Sequence, residues 1–408
     1  SLTTSWSAGA QTVRAADRLV DSVGVNIHLH YNNTPYRERF PLVERRLMEL
    51  GVRHVRDGLV DTPWQAYYDR HNALGEAGIK GTFITSPEQS RELWIAYPAR
   101  MKQSFEAYEA PNEYDLKGRR DDWAPILTDT LRRLRSLENE LRATRFPLLG
   151  PSLTTAAAYA ELGDVSAYYD FANLHNYYGG RHPGTRGWGR NGYGSIGWHF
   201  DLVDRYAHGK PIVSTETGYQ DDPAEENWVP ADVAGRYTPI IILEHFRVGV
   251  VRTFLYELID FPKSGSWGLV ESDGTPKPAF TAVKNLLTLL ADPGPQLPPE
   301  DLEYTVRDDT GDLRHVALRK HDGTAFVALW RVRQSYDQNK GQQTNVAPQG
   351  VVMTVPGEMR HVRTHEWQVD GSMSTTAWSS SSAMSAVPVA DRLVIVEMAP
   401  ALPASENR

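Results

Sequence analysis

The chain of 408 residues contains no cysteine, which excludes disulfide bonds, thiolate metal ligands and cysteine nucleophiles. It also lacks an excess of basic residues: its net charge is −8, which argues against nucleic acid as a partner. No apolar run reaches the length of about 18 residues that a membrane-spanning helix needs. The first ten residues, SLTTSWSAGA, have no basic segment followed by an apolar one, and we expect them to begin a mature, extracellular chain.

The length and composition indicate a globular protein with more than one domain. Hydrophobic residues make up 40% of the chain and charged residues 23%, which is ordinary for a folded protein and excludes a disordered or fibrous one. A chain of this length is too long for one core of about 100–200 residues, so a large barrel with a smaller second domain fits better.

Residues 21–292 alternate between short β-rich runs and longer segments with helical spacing. The first pair is VGVNIHL (23–29) followed by FPLVERRLMELG (40–51), and the last helical segment lies near 276–291. The alternation predicts an α/β fold, the (β/α)8 or TIM barrel. A doubly wound parallel sheet is the alternative, but it usually needs a glycine-rich phosphate-binding turn after the first strand, and none is present.

The remainder of the chain has a different period. A proline-rich linker is expected over 293–301. After it, apolar residues alternate with polar ones in short runs bounded by turn residues, which predicts an all-β sandwich domain over 302–408. The N-terminal segment 1–20 is expected to pack against either domain, and the sequence does not choose between them.

The active sites of such barrels lie at the C-terminal ends of the strands. The segments predicted to end there carry side chains suited to binding and proton transfer. They are His28 and His30 after strand one, Arg56 after strand two, Asn112 and Glu113 after strand four, His175 and Tyr177 after strand six, Glu216 after strand seven, and Tyr256 with the nearby Trp267 after strand eight.

Two of these residues are glutamates that face each other across the predicted barrel mouth. Glu113 lies in YEAPNEYD and Glu216 in STETGY. Two carboxyl groups at a common point, one protonated and one ionised, are what the cleavage of a glycosidic bond requires. A single glutamate at a strand end is more often a salt-bridge or capping residue, so the prediction depends on the pair and its neighbours together.

At this point the sequence resembles the clan A glycoside hydrolases, which are retaining enzymes on a (β/α)8 barrel. The resemblance rests on Asn112-Glu113, on the His-x-Tyr of LHNYY that contains His175 and Tyr177, on Glu216 and on Arg56. The segment GLVESDGTPKPAFTAVKNLL (268–287) also resembles the end of these barrels. It covers about two-thirds of the chain. Family 39 is favoured because it combines the barrel with a C-terminal β-sandwich, and family 5 is the next candidate.

The resemblance implies a retaining glycosidase that acts on an oligo- or polysaccharide without a cofactor. Glu113 is expected to be the general acid/base and Glu216 the nucleophile. Arg56 and the Tyr177 hydroxyl are expected to hold Glu216 ionised, through charge and hydrogen bonding. Asn112 is expected to bind the sugar 2-hydroxyl.

The sequence departs from the family pattern at strand eight. Many relatives carry a tryptophan there as the floor of the sugar site, whereas this strand reads FLYELID. Tyr256 or Trp267 is therefore expected to take that place. The long loop GGRHPGTRGWGRNGYG (179–194) is either a wall of the cleft whose arginines contact an anionic sugar, or a surface loop with solvated arginines.

Two other functions are compatible with a barrel of this kind. One is a non-catalytic carbohydrate-binding protein. The other is a metal-dependent hydrolase, since His28 and His30 form a His-x-His pair and His175 and Asp260 follow other strands. The amidohydrolases also need a lysine after strand four and a histidine after strand five, which this chain does not have. The preferred interpretation is that His28 and His30 bind sugar hydroxyls or a carboxylate, with no metal ion.

Overall fold

The computed structural model of the protein describes residues 5–7, 10–117, 121–140, 146–355, 357–378 and 384–400. Its centre is an eight-stranded parallel sheet, whose strands are numbered β1 to β8 here. In chain order they are Val23–Asn26, His54–Gly58, Lys80–Ile84, Phe105–Glu109, Leu148–Leu149, Ala172–His175, Ile212–Thr217 and Arg252–Leu255.

This sheet closes into a barrel. The strand order is β5-β4-β3-β2-β1-β8-β7-β6, and a parallel bridge between Leu149 and Phe171 joins the two end strands. Because all neighbours are parallel, the carboxyl ends of all the strands meet at one mouth. The predicted (β/α)8 barrel is confirmed.

Helices surround the barrel. In chain order α1 to α11 are Ala16–Asp21, Pro35–Glu38, Phe40–Leu50, Gln65–Glu76, Arg91–Arg100, Tyr114–Lys117, Trp123–Arg135, Ala156–Leu162, Ile196–Ala207, Ala231–Val248 and Pro278–Leu290. Short 3-10 helices lie at Ser136–Asn139, Ser166–Tyr168 and Arg190–Gly192. Within the described ranges, no helix combines the length and the apolar character needed to cross a membrane.

The sequence explains where these helices begin, end and pack. In α7, Leu127, Leu131 and Leu134 recur every three or four residues and are buried, while its arginines lie elsewhere on the cylinder. Helix α3 ends at Gly51, whose φ of 83° is accessible to glycine and whose N–H bonds to the Leu47 carbonyl.

The C-terminal residues form an all-β sandwich that includes the N-terminal strands. A seven-stranded sheet contains, in order, Glu300–Glu303, Ala10–Ala15, Leu313–Arg319, Ala325–Arg331, Val394–Pro400, Met359–Trp367 and Met373–Ala377. A four-stranded sheet contains Ser5–Ser7, Thr305–Asp308, Gln349–Thr354 and Met384–Val389, and Tyr336–Asp337 pairs with Gln342–Gln343. The predicted C-terminal sandwich is confirmed, and the N-terminal strands pair with it.

Helix α10 joins the two domains through buried charges. Glu244 is fully buried and accepts hydrogen bonds from Trp330 Nε1 at 2.8 Å and from Arg314 Nη1 at 2.6 Å, both on the sandwich. Arg236, about two turns before Glu244 on α10, donates to Asp391 at 2.7 Å. Buried charges are tolerated only when they are paired, so these contacts fix how the sandwich sits on the barrel.

A second buried ion cluster closes the amino-terminal end of the barrel. His54 on β2 is buried, with Nε2 2.9 Å from Asp21 and Nδ1 2.8 Å from Glu106. Arg252 on β8 lies 3.0 Å from Glu106. Burial alone would lower the pKa of His54, but the hydrogen bonds to the two carboxylates outweigh it and raise the pKa. The protonated imidazole therefore stabilises this end of the barrel.

We expect His54→Gln to destabilise the protein more at pH 6 than at pH 9. Because the pKa of His54 is raised on folding, its contribution is complete below its ordinary value of about 6.5 and is lost as the pH rises through the folded value. Urea unfolding should show a loss of about 1–3 kcal/mol at pH 6. His208→Gln, at an exposed pair with Asp164, is the control. A loss that does not change with pH would contradict the assignment.

Candidate active site

A buried arginine lies at the centre of the barrel mouth. Arg56, on β2, uses all five N–H donors of its guanidinium group. Nε and Nη2 donate to the two oxygens of Glu109 at 2.8 Å each, and Nη1 donates to Glu216 Oε1 at 2.7 Å. The remaining two N–H groups bond to Asn26 at 2.9 Å and to Asn112 at 2.6 Å. One side chain thus fixes residues from four other loops or strands.

Glu216, near the end of β7, is held in its ionised form. Besides the Arg56 contact, its Oε2 accepts a hydrogen bond from the Tyr177 hydroxyl at 2.8 Å. Burial alone would raise the pKa of Glu216, but the charges of His175 and Arg56 and the hydrogen bonds from Arg56 and Tyr177 lower it to about 2. Glu216 is therefore a carboxylate at any pH near neutrality.

Glu113 lies opposite Glu216, after β4. Its backbone has a φ of 42°, in the left-handed region that non-glycine residues seldom adopt, where the chain bends from β4 into α6. Its Oε1 is 2.8 Å from His175 Nδ1. The nearest polar atoms of Glu113, His175 and Glu216 all lie within 4.8 Å of one another. The two carboxyl groups therefore face the same small volume.

The bonds of His175 determine where its protons are. Its Nε2 lies 2.8 Å from the Thr215 hydroxyl, which is 3.0 Å from both Glu109 Oε1 and Asn173 Oδ1. Both of those oxygens can only accept, so the Thr215 hydroxyl donates to one of them and accepts from His175 Nε2–H. The Nδ1 side of the ring then shares a single proton with Glu113.

The two histidines after β1 each lie near a carboxylate, and their predicted binding of sugar hydroxyls stays a prediction. His28 Nε2 lies 3.3 Å from Glu257, and His30 Nδ1 lies 3.2 Å from Asp57, in both cases without hydrogen-bond alignment. Glu257 is fully buried and accepts from Tyr36 at 2.9 Å. The two histidines are thus directed at separate carboxylates and not at one shared point.

Aromatic rings form a wall beside Glu216. Trp267 stands edge-on to Tyr177, with ring centroids 5.1 Å apart, and its ring is 6.4 Å from that of Tyr256. All three side chains are partly exposed. Trp267 lies beside Tyr177 and Tyr256, and the use of Trp267 or Tyr256 as a floor for the sugar stays a prediction. Such rings suit the apolar face of a pyranose.

The loop 179–194 follows β6 and borders the same mouth. Arg181 stacks over the ring of Trp188 at 4.2 Å, while Arg186 and Arg190 are exposed. Its base is held by the sandwich, because Gln338 Nε2 donates to the carbonyls of Gly180 at 3.2 Å and Trp228 at 3.0 Å. Contact with an anionic sugar stays a prediction.

The described residues include one group whose spacing would suit a metal ion. Glu113, His175 and Glu216 have the spacing of metal ligands. However, Glu216 already carries Arg56 and Tyr177, and Glu113 already carries His175. Direct internal bonds therefore occupy the atoms that a metal would need.

Sequence reasoning missed Glu109 and Thr215, two buried residues that lie between Arg56 and His175. Glu109 is the last residue of β4, four positions before Glu113, and its side chain is fully buried. The strand period offered one signal. Side chains two residues apart on a strand point to the same face, so Glu109 points into the barrel as Ala107 does. Arg56, two residues after His54 on β2, is the matching inward cation.

Comparisons with known proteins support the fold. No family model matches this chain, and no curated protein sequence matches it significantly. Among solved structures, a family 39 glycoside hydrolase from the gut symbiont Bacteroides cellulosilyticus WH2 is similar, with a TM-score of 0.61 and 16% identity over 94% of this chain and 81% of that one. A glucosidase from Croceicoccus marinus has a TM-score of 0.63 and 12% identity over 98% of this chain and 100% of that one. At these identities the likeness shows the fold, a (β/α)8 barrel with a β-sandwich.

A third similar structure is a GH5_18 protein from Streptomyces cattleya in complex with GlcNAc. It has a TM-score of 0.50 and 19% identity, and the match covers 71% of this chain and 82% of that one. The two matches above cover nearly the whole chain, the sandwich included, whereas this one covers less of it. This difference agrees with the combination of a barrel and a sandwich in this chain.

We expect Arg56→Met to lower the free energy of unfolding by about 3–5 kcal/mol at pH 7, because it leaves the buried carboxylates of Glu109 and Glu216 without their cation. Chemical denaturation measures this loss. Arg100→Met is the matched control, since its bridge to Asp61 is largely exposed and is expected to change stability by less than about 1 kcal/mol. Equal losses in both variants would contradict the central role of Arg56.

Proposed function

We propose that this chain is a retaining glycoside hydrolase that cleaves O-glycosidic bonds of an oligo- or polysaccharide. The observation that carries the proposal is the pair Glu113 and Glu216, whose carboxyl oxygens lie within 4.8 Å at the barrel mouth. Retaining enzymes hold their two carboxyl groups ~5–5.5 Å apart, because both must reach one glycosidic bond with no water between them.

In the first step Glu216 acts as the nucleophile. One of its oxygens attacks the anomeric carbon while the bond from that carbon to the leaving oxygen breaks. Glu113 transfers the proton that it shares with His175 to the leaving oxygen. The product is a covalent glycosyl-enzyme at Glu216. The pKa of Glu216, lowered to about 2, supplies the ionised form that this attack requires.

In the second step Glu113 acts as the base. Its carboxylate removes a proton from a water molecule, whose oxygen attacks the anomeric carbon as the bond to Glu216 breaks. Two inversions at the same carbon retain its configuration, and both glutamates return to their starting protonation states. Once Glu113 has taken the proton from water, it can again share this proton with His175, as in the free enzyme.

The surrounding side chains would bind the sugar. The oxygen of the Asn112 amide is used by Arg56, so its NH2 group is free to donate to the sugar 2-hydroxyl. Trp267 and Tyr256 would stack on the ring, and His28 and His30 would contact hydroxyl groups. The glucosidase from Croceicoccus marinus makes aryl glucosides the first substrates to test.

The alternative is a carbohydrate-binding protein without activity. The lowered pKa of Glu216 and the proton shared by Glu113 and His175 favour catalysis, because binding alone needs neither. Turnover of a nitrophenyl glycoside in the presence of a chelator would exclude both this alternative and a metal-dependent hydrolase. We also propose an extracellular location, where a polysaccharide would be encountered.

Azide rescue separates the roles of the two glutamates. We expect Glu216→Ala to lose turnover of all substrates. Glu113→Ala should be slowed by about 10²–10⁴-fold on ordinary substrates. With a dinitrophenyl glycoside, whose leaving group needs no proton, it should still form the glycosyl-enzyme, which azide then releases as a glycosyl azide of retained configuration. Product configuration is measured by NMR. An inverted azide from Glu113→Ala would mean that the roles are reversed.

We expect Tyr177→Phe to make the enzyme more sensitive to acid. The variant removes a hydrogen bond to ionised Glu216, so the pKa of Glu216 should rise from about 2. Since the ionised form is active, activity is lost as the pH falls through this pKa, and the acid limb of kcat/KM should move up by about one pH unit. Tyr219→Phe, whose hydroxyl contacts the Arg181 carbonyl instead, is the control. An unchanged limb would contradict the proposed role of Glu216.

A further inference from the structure

Glu109 is a charged residue that the mechanism above does not use. Its side chain is fully buried at the end of β4, so it does not reach the substrate. Both of its oxygens bond to Arg56 at 2.8 Å, Oε1 also accepts from Asn173 at 3.2 Å, and the Thr215 hydroxyl lies 3.0 Å from Oε1. A buried carboxylate with this many donors has a fixed position and a fixed charge.

The number of negative charges around Arg56 changes during the reaction. In the free enzyme it lies between two carboxylates, Glu109 and Glu216. When Glu216 becomes an ester in the glycosyl-enzyme, its negative charge is gone. Arg56 is buried and remains cationic, so it needs another counter-ion at that moment. Among the described residues, Glu109 is the only other carboxylate that is hydrogen-bonded to it.

We infer that Glu109 is a positioning residue that balances the charge of Arg56 while Glu216 is esterified, so that the glycosyl-enzyme can form and accumulate. Without Glu109, the free enzyme would still have a neutral Arg56–Glu216 pair. The glycosyl-enzyme would instead contain an unpaired buried cation, beside a sugar that carries positive charge in the transition state. The inference rests on the proposed function.

A second contact links Glu109 to the acid/base. Thr215 donates to Glu109 or to the neighbouring Asn173, and this orientation makes Thr215 accept from His175 Nε2–H. The opposite nitrogen of His175 then faces Glu113. Glu109 therefore lies at the point where the hydrogen bonds of the nucleophile and those of the acid/base meet.

The test measures accumulation of the glycosyl-enzyme. In the Glu113→Ala background a dinitrophenyl glycoside should give a burst of dinitrophenol, and intact-protein mass spectrometry should show the sugar attached. Adding Glu109→Gln should slow this glycosylation by roughly 100-fold or more and abolish the burst. Release of the sugar should not be slowed to the same extent, because that step restores the charge of Glu216.

Two variants control for structural damage. Glu106→Gln changes the same residue type on the same strand, but its carboxylate pairs with His54 and Arg252 at the other end of the barrel, so it should keep the burst. Glu109→Asp keeps the charge and should restore accumulation even if Glu109→Gln does not fold. The burst amplitude is divided by the concentration of folded protein, so a loss of folded molecules alone does not change it.

The outcomes separate the inference from the proposed function. If Glu216→Ala keeps wild-type turnover, the proposed function fails. If Glu216→Ala is inactive but Glu109→Gln still gives a full burst, only the role of Glu109 is overturned. A Glu109→Asp variant without accumulation would also overturn it, since the charge would then not be what matters.

Discussion

The ionic contacts of Arg56 are the interaction on which the rest of the site depends. A guanidinium group taken out of water needs opposite charge and a partner for each N–H, and here two carboxylates and two amide oxygens supply them. These partners come from different strands and loops of the barrel. The requirement to satisfy one buried cation therefore fixes the relative positions of Glu216 and Asn112 before any substrate binds.

The two glutamates at the barrel mouth differ because their neighbours differ. Glu216 faces a cation and a phenol, which keep it ionised. Glu113 faces an imidazole that can share its proton. Two residues of one type thus become suited to opposite tasks through hydrogen bonding and charge. The left-handed backbone conformation of Glu113 lies at the bend after β4.

The sandwich contributes to the barrel mouth although it contains none of the proposed catalytic residues. Gln338 bonds to the backbone of the loops after β6 and β7, at Gly180 and Trp228. Glu244 and Arg236 of α10 tie the same domain to the barrel through buried ion pairs. Because loops have few internal contacts, an external anchor of this kind restricts the shape of the cleft.

The sequence by itself determined the barrel, the sandwich and the candidate residues at the strand ends. Apolar periodicity and turn residues are local features of a sequence. The alternation over 21–292 and the change of period after the linker could therefore both be predicted from it. The pairing of the N-terminal strands with the sandwich was not, because Ala10–Ala15 contacts residues almost 300 positions away. The role of Glu109 was equally hidden, since a buried carboxylate is explained only by its partner, and the position of Arg56 relative to Glu109 follows from how β2 and β4 are brought together in the closed barrel.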